Sequence, residues 1–272
     1  MIEMNNVLLE VGPIKIYYYS FFILISIIIG IIYCQKESRK VGLGSVFMND
    51  LLFNTIIIAI LGARAYYVIF NFSAFKKDLI SIIYIWQGGL AIYGAVISGL
   101  IYIIYYCHKK EKPALKTLDV IVPFLILGQA IGRWGNFMNQ EAYGPIVSRN
   151  FLENLHIPNF IIDRMYINGA YHQPTFLYES IWCIIGFIIL ILLRTFYKKL
   201  KDGNLTFTYF IFYGIGRLAI EGLRQDSLYF KTFRISQIVS IILIIIGIIG
   251  ILTSKNRNYY YKQKEVSNGI NI

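Results

Sequence analysis

Residues 132–144 read GRWGNFMNQEAYG and follow directly on an apolar run. Arg133 is therefore expected at or just inside the edge of a bilayer. A cation near the centre of a membrane helix is unfavourable by roughly 2.5–3.5 kcal/mol on insertion scales, so an arginine kept there has a task. Behind it come Asn136, Asn139, Gln140 and Glu141, all side chains with hydrogen-bonding heads. Gly132, Gly135 and Gly144 let the backbone turn or approach a neighbour closely. The combination reads as an anion site at a membrane surface, suited to a lipid headgroup.

A second set lies in TYFIFYGIGRLAIEGLRQDS, residues 208–227, where Tyr213, Arg217, Glu221 and Arg224 fall on one helix face. Two readings stand side by side. Arg217 and Glu221 form a structural ion pair, as charges inside a membrane do. Alternatively, Arg217 and Arg133 face one cavity, and two guanidiniums suit a phosphate because they are planar, permanently charged and able to bond it bidentately. In HQPTFLYES, residues 172–180, Pro174 suits the first turn of a helix. His172 reads as a structural residue or a base. Glu179, about one turn inside the apolar region, needs a partner such as Arg64 or Arg217 and is expected to play a supporting role. Tyr93 and Tyr19 are two among 22 tyrosines, so composition alone selects neither.

The elements that must position these groups are membrane helices. The chain has 272 residues, 57% hydrophobic and only 15% charged, whereas soluble domains run nearer 25% charged. Isoleucine-rich stretches long enough to cross a bilayer recur. Seven are expected, at about 16–33, 51–70, 88–106, 115–133, 177–193, 205–222 and 235–252. The expected fold is an all-α polytopic membrane protein with residues 1–254 as one integral domain. A small extracytoplasmic cap is expected within the loop 134–176, where Asn168-Gly169 signals a hairpin. A polar cytoplasmic tail is expected over 255–272, and no cleavable signal peptide at the N-terminus. Lysine and arginine concentrate around 36–40, 109–116, 194–201 and beyond 255. That bias places those loops in the cytoplasm, with the N-terminus outside and the C-terminus inside. The net charge of +11 is thus a topology signal with some attraction to anionic lipid. No basic patch interleaves with surface aromatics, which argues against nucleic acid. Cys34, Cys107 and Cys183 have neither disulfide nor zinc spacing.

Taken in order, GPIKIYYYS, GARAYYVIF, WQGGLAIYG, DVIVPFLILGQAIGRWGNFMNQEAYG, HQPTFLYES and YGIGRLAIEGLRQDS resemble the prolipoprotein diacylglyceryl transferases of bacteria over nearly the whole chain. GRWGNFMNQE is the most specific of these stretches. The resemblance implies a plasma-membrane enzyme that moves a diacylglyceryl group from phosphatidylglycerol to the lipobox cysteine in the signal peptide of a preprolipoprotein. A thioether forms, glycerol phosphate leaves, and neither metal nor cofactor is expected. It implies a substrate-binding set of Arg133, Asn136, Asn139, Gly144, Tyr19, Arg224 and His172. The implied catalytic set is Arg217, Tyr93, Glu141, Tyr213 and Glu221. Many members carry a histidine, a candidate base, where this chain has Tyr93. With a reference pKa of about 10, tyrosine is a poor base at neutral pH. Arginine electrostatics are therefore expected to activate the thiol, with Tyr93 as donor or positioning group. Rival readings are a transporter for an anionic solute, which calls for internal repeats that the chain lacks, and a non-catalytic lipid-binding scaffold.

Overall fold

The computed structural model describes residues 7–11, 14–223, 229–230 and 233–261. The expected turn at Gly12-Pro13, Arg224 and the tail from 262 onward lie outside the described residues. Two compact units emerge, residues 34–117 and the remainder of the chain. Strands β1 (Val7–Val11) and β2 (Ile14–Tyr17) pair antiparallel and lead straight into helix α1 (Tyr18–Lys40). The sequence places the start of this helix at 16, but the hairpin holds 14–17 extended.

Within 34–117, α2 (Ser45–Phe70) is followed by the single turn α3 (Phe72–Phe75), two short 3-10 segments and α4 (Ile92–Lys109). Helix α4 begins four residues later than the apolar pattern suggests. Gly88 and Gly89 have φ of 90° and 72°, a left-handed backbone that cannot belong to the helix. Arg64 on α2 fixes this approach. Its guanidinium donates to the carbonyls of Ser81, Ile82 and Gly88 at 2.7–2.8 Å and of Gly89 at 3.1 Å. Arg64 thus commits its guanidinium to these backbone carbonyls, with the Phe75 and Tyr67 rings beside it.

The other unit contains most of α5 (Ala114–Asn139), then β3 (Ile146–Val147), α6 (Arg149–Asn154), α7 (Asn159–Arg164), β4 (Tyr166–Ile167) and β5 (Ala170–His172). It continues through α8 (Thr175–Phe196), α9 (Asn204–Glu221), the strand pair β6 (Tyr229–Phe230) and β7 (Phe233–Arg234), and α10 (Ile235–Leu252). Strands β3, β5 and β4 form a three-stranded antiparallel sheet in that order, with Asn168-Gly169 turning β4 into β5. This insert has its own core, built on Leu152, Ile161, Ile162 and Met165 together with Phe137 and Phe176 from the flanking helices. The GRWGNFMN motif does not open a loop. Helix α5 carries it through to Asn139 and ends at Gln140, whose φ is 52°.

Burial in these helices is inverted relative to a soluble fold. Helix α10 buries Ser240, Gly247 and Gly250 and turns Ile241, Ile242, Ile248, Ile249 and Leu252 outward. Small residues inside and branched aliphatics outside suit helices solvated by lipid, where close backbone approach drives association. A Cβ on Gly247 would lie 2.7 Å from the Phe207 carbonyl oxygen of α9. Among the described residues, five helices (α1, α2, α5, α8 and α10) are long and apolar enough to cross a membrane. Helices α4 and α9 form where the third and sixth crossings are expected but fall outside that group.

At the end of the bundle away from the insert, Asp119 of α5 caps α9. Its buried carboxylate accepts from Gly203 N at 2.6 Å, Thr206 N at 2.8 Å and Thr206 Oγ1 at 2.6 Å. These are the donors that a helix N-terminus leaves unpaired. The first residues of the stretch expected to be a polar tail pack back on the 200–202 segment. Tyr260 is fully buried, Tyr260 N donates to Leu200 O at 2.9 Å, and Asp202 N donates to Asn258 O at 2.9 Å. An aromatic side chain able to bury its ring overrides the polar composition around it. Asp119→Ala leaves three buried donors without an acceptor and is expected to lower stability by about 3 kcal/mol, read as a drop in the thermal unfolding midpoint of the detergent-solubilised protein.

Candidate functional site

Helices α5, α8 and α9 bring their charged residues to one end of the bundle, beside the insert. Arg133 Nη2 lies 2.6 Å from Glu179 Oε2, and Arg217 Nη1 lies 3.4 Å from Glu179 Oε1. Arg217 Nη2 is also 2.8 Å from Glu221 Oε2, one helical turn along α9. That last contact is close but poorly aligned for a hydrogen bond, so it acts by proximity of charge. The two arginine side chains are 20% and 19% exposed, whereas Glu179 and Glu221 are 7% and 1% exposed. The network thus contains both alternatives raised by the sequence: the Arg217–Glu221 pair exists, and Arg133 and Arg217 do converge. It also makes Glu179 the shared member.

These groups line a narrow cleft bounded by Arg133, Glu179, Trp182, Cys183, Tyr213 and Arg217. Trp182 stacks on Phe212 at 4.4 Å and donates its Nε1–H to the Phe212 carbonyl at 3.1 Å. Tyr213 stacks on Tyr209 at 5.6 Å, and Gln129 Nε2 donates to the Tyr209 hydroxyl at 2.9 Å. Tyr213, Arg217 and Glu221 therefore share a face as their spacing requires. Cys183 is a buried free thiol. Among the described residues no group of three or more His, Cys, Asp or Glu is placed to hold a metal ion.

A second cluster forms where α5 ends. Asn136 Nδ2 and Asn139 Nδ2 donate to Glu141 Oε1 at 3.0 and 3.3 Å, so the two amides orient one exposed carboxylate. Gly135 lets α1 approach here: a Cβ at this position would lie 2.4 Å from the Tyr19 ring, which is partly exposed. Gly144 donates its N–H to Gln173 O at 2.9 Å, and its carbonyl lies 2.9 Å from Nδ1 of His172. His172 is 5% exposed and its ring lies 4.5 Å from that of Tyr143. Its visible task is to hold the segment at Gly144 that leads into β3. Tyr93 belongs to the 34–117 unit, near the N-terminus of α4.

Arg164, within the stretch 134–176, has a specific task in the structure. It is buried, and its guanidinium donates to the carbonyls of Phe137, at 3.2 Å, and Met138 at the C-terminal end of α5. Burial lowers its pKa from the usual arginine value, and the helix carbonyls it satisfies favour the cation. Gln140 Nε2 returns a bond to Arg164 O at 2.7 Å. The RM pair in DRMYINGAY, just before a hairpin turn, offers no sequence signal for this. Arg164→Met is expected to free those carbonyls, cost about 2 kcal/mol and accelerate amide hydrogen exchange over residues 137–144, measured by mass spectrometry.

A model of the prolipoprotein diacylglyceryl transferase family matches residues 6–253. Among curated relatives, the phosphatidylglycerol–prolipoprotein diacylglyceryl transferase of Halalkalibacterium halodurans is 47% identical over 88% of this chain and 83% of its own length. That of Ligilactobacillus salivarius is 46% identical over 87% of this chain and 88% of its own. The Listeria innocua enzyme is 43% identical over 96% of this chain and 95% of its own.

Proposed function

This chain belongs to the prolipoprotein diacylglyceryl transferase family, and from that premise we propose how the charge cluster on α5, α8 and α9 carries out the family's reaction. The protein transfers the diacylglyceryl group of phosphatidylglycerol to the lipobox cysteine of preprolipoproteins. The cysteine sulfur attacks the primary carbon that bears the phosphate ester. A C–S bond forms, the C–O bond breaks with its electron pair on the phosphate oxygen, and glycerol phosphate leaves. The thiol proton is lost on the way.

The headgroup phosphate sits between Arg133 and Arg217. The observation that carries this reading is that one carboxylate, Glu179, touches both guanidiniums at 2.6 and 3.4 Å, so a single oxyanion spans them. Arg133 Nε supports it: this atom is buried and makes no hydrogen bond among the described residues, and a phosphate oxygen gives such a donor a reason. Charge that grows on the departing phosphate is met by two fixed cations in a cleft partly walled by Trp182 and Tyr213. Tyr213 donates to the phosphate, and Glu221 holds Arg217 in place. Asn136, Asn139 and Glu141 face the glycerol hydroxyls. Gly144, braced by His172, and Tyr19 complete the lipid contact, and Arg224 adds a third cation. The thiol is activated by this positive field, and the resemblance to the family's third-helix motif gives Tyr93 a donor or positioning role.

The placement in the cell follows from charge and hydropathy. The seven helices α1, α2, α4, α5, α8, α9 and α10 cross the bacterial plasma membrane, with the N-terminus outside and the C-terminus in the cytoplasm. The insert caps the outer face, where the signal peptide and the lipid arrive. The basic loops on the opposite side support this orientation.

The decisive measurement is the mass of a lipobox peptide incubated with the protein and phosphatidylglycerol. A diacylglyceryl adduct is expected, whereas a transporter or scaffold leaves the peptide unchanged. Arg133→Ala and Arg217→Ala are each expected to slow adduct formation about 10²–10³-fold, the scale for removing one preorganised donor from a developing oxyanion. Full lipidation by Arg217→Ala would sink the phosphate clamp. Tyr93→Phe is expected to lower the rate about tenfold, one hydrogen bond's worth, with Tyr93→His restoring it. An unimpaired Phe variant shows that the hydroxyl has no role.

A further inference from the structure

The family reaction does not by itself call for a carboxylate between two phosphate-binding arginines, yet Glu179 stands there. It differs from Glu221 in a telling way. Glu221 lies one turn from Arg217 on the same helix and is 1% exposed, so it travels with its arginine. Glu179 comes from α8, divides its two oxygens between α5 and α9, and holds Arg217 at the longer distance of 3.4 Å. It also lines the cleft, which Glu221 does not. Of the two carboxylates, Glu179 is the one an incoming phosphate meets, and the one whose bond to Arg217 is cheaper to break.

The product sharpens the point. Phosphatidylglycerol carries a phosphodiester with one negative charge, whereas glycerol phosphate is a monoester that carries up to two near neutral pH. Two guanidiniums in a low-dielectric cleft bind the product more tightly than the substrate and would retain it. A carboxylate on a neighbouring helix, tethered within reach of both cations, competes with the product at high effective concentration.

We propose that Glu179 is a positioning residue with an exchange role: it spaces Arg133 and Arg217 before the lipid arrives, yields them to the headgroup phosphate, and recaptures them to expel glycerol phosphate. This rests on the phosphate-clamp reading above. Glu179 neither touches the reacting carbon nor takes part in the bond changes.

The test compares wild type, Glu179→Gln, Glu179→Asp and Arg217→Ala in the lipobox-peptide assay, with added sn-glycerol 1-phosphate as inhibitor. Glu179→Gln keeps the shape and removes the charge. It is expected to bind glycerol phosphate about tenfold more tightly, to lower KM for phosphatidylglycerol, and to lower kcat about tenfold, with a pre-steady-state burst of adduct because release has become limiting. A purely structural glutamate gives the opposite split: kcat falls, KM rises, inhibition by glycerol phosphate weakens and no burst appears. That result, or inhibition equal to wild type, overturns the proposal. If Glu179→Gln does not fold, Glu179→Asp decides. It keeps the charge but withdraws it by one methylene, so tighter glycerol phosphate binding with a burst supports exchange, and wild-type or weaker binding overturns it. Arg217→Ala separates the two levels. Retained wild-type inhibition in that variant shows that the clamp itself is wrong, whereas lost inhibition with unchanged Glu179 variants removes the exchange role alone.

Discussion

Two guanidiniums facing one cleft at the end of an apolar bundle repel each other and lose hydration, so neither is tolerable there without negative charge between them. Glu179 supplies that charge by bridging Arg133 and Arg217, and much of the surrounding architecture follows. Three helices must end or begin at the same height for three side chains to meet. Helix α5 sets that height. Asp119 ties it to the first turn of α9, and Arg133, roughly 21 Å further on at 1.5 Å per residue, meets the far end of α9 through Glu179 and Arg217. The two helices therefore run parallel, with α8 between them in sequence.

The insert between α5 and α8 serves the same constraint. Phe137 near the end of α5 and Phe176 at the start of α8 stack at 4.5 Å inside its core. Arg164 closes the carbonyls at the end of α5. With both helix ends fixed in a small packed domain, the Arg133–Glu179 distance is set by something stiffer than a loop. The same domain carries Glu141 and Gly144, so one folded unit supports both the arginine–glutamate cluster and the amide–carboxylate cluster beside it.

The chemistry explains why positioning dominates. Displacing a phosphate ester from a primary carbon by a thiol calls for alignment of two membrane-borne substrates and for stabilisation of the leaving phosphate. The described unit offers fixed cations, amides and a cleft with aromatic walls. Tyr93 on α4 belongs to the other unit, where Arg64 locks the approach to that helix by holding the carbonyls of Gly88 and Gly89.

The sequence by itself determined the membrane class, the approximate location of the long helices, the 168–169 hairpin and the face shared by Tyr213, Arg217 and Glu221. These are properties of composition and of short-range periodicity, which depend only on near neighbours in the chain. Tertiary structure decided the rest. That α5 runs to Asn139 instead of yielding a loop at Trp134 depends on Tyr19 filling the space beside Gly135 and on Arg164 capping the helix from afar. That Tyr260 is buried, within a polar stretch, depends on the 200–206 turn it packs against. That Glu179 bridges two arginines while Arg64 bonds the backbone carbonyls of residues 81, 82, 88 and 89 is a matter of which elements each side chain meets. No local pattern encodes it, because the energy of a buried charge is set by partners distant in sequence.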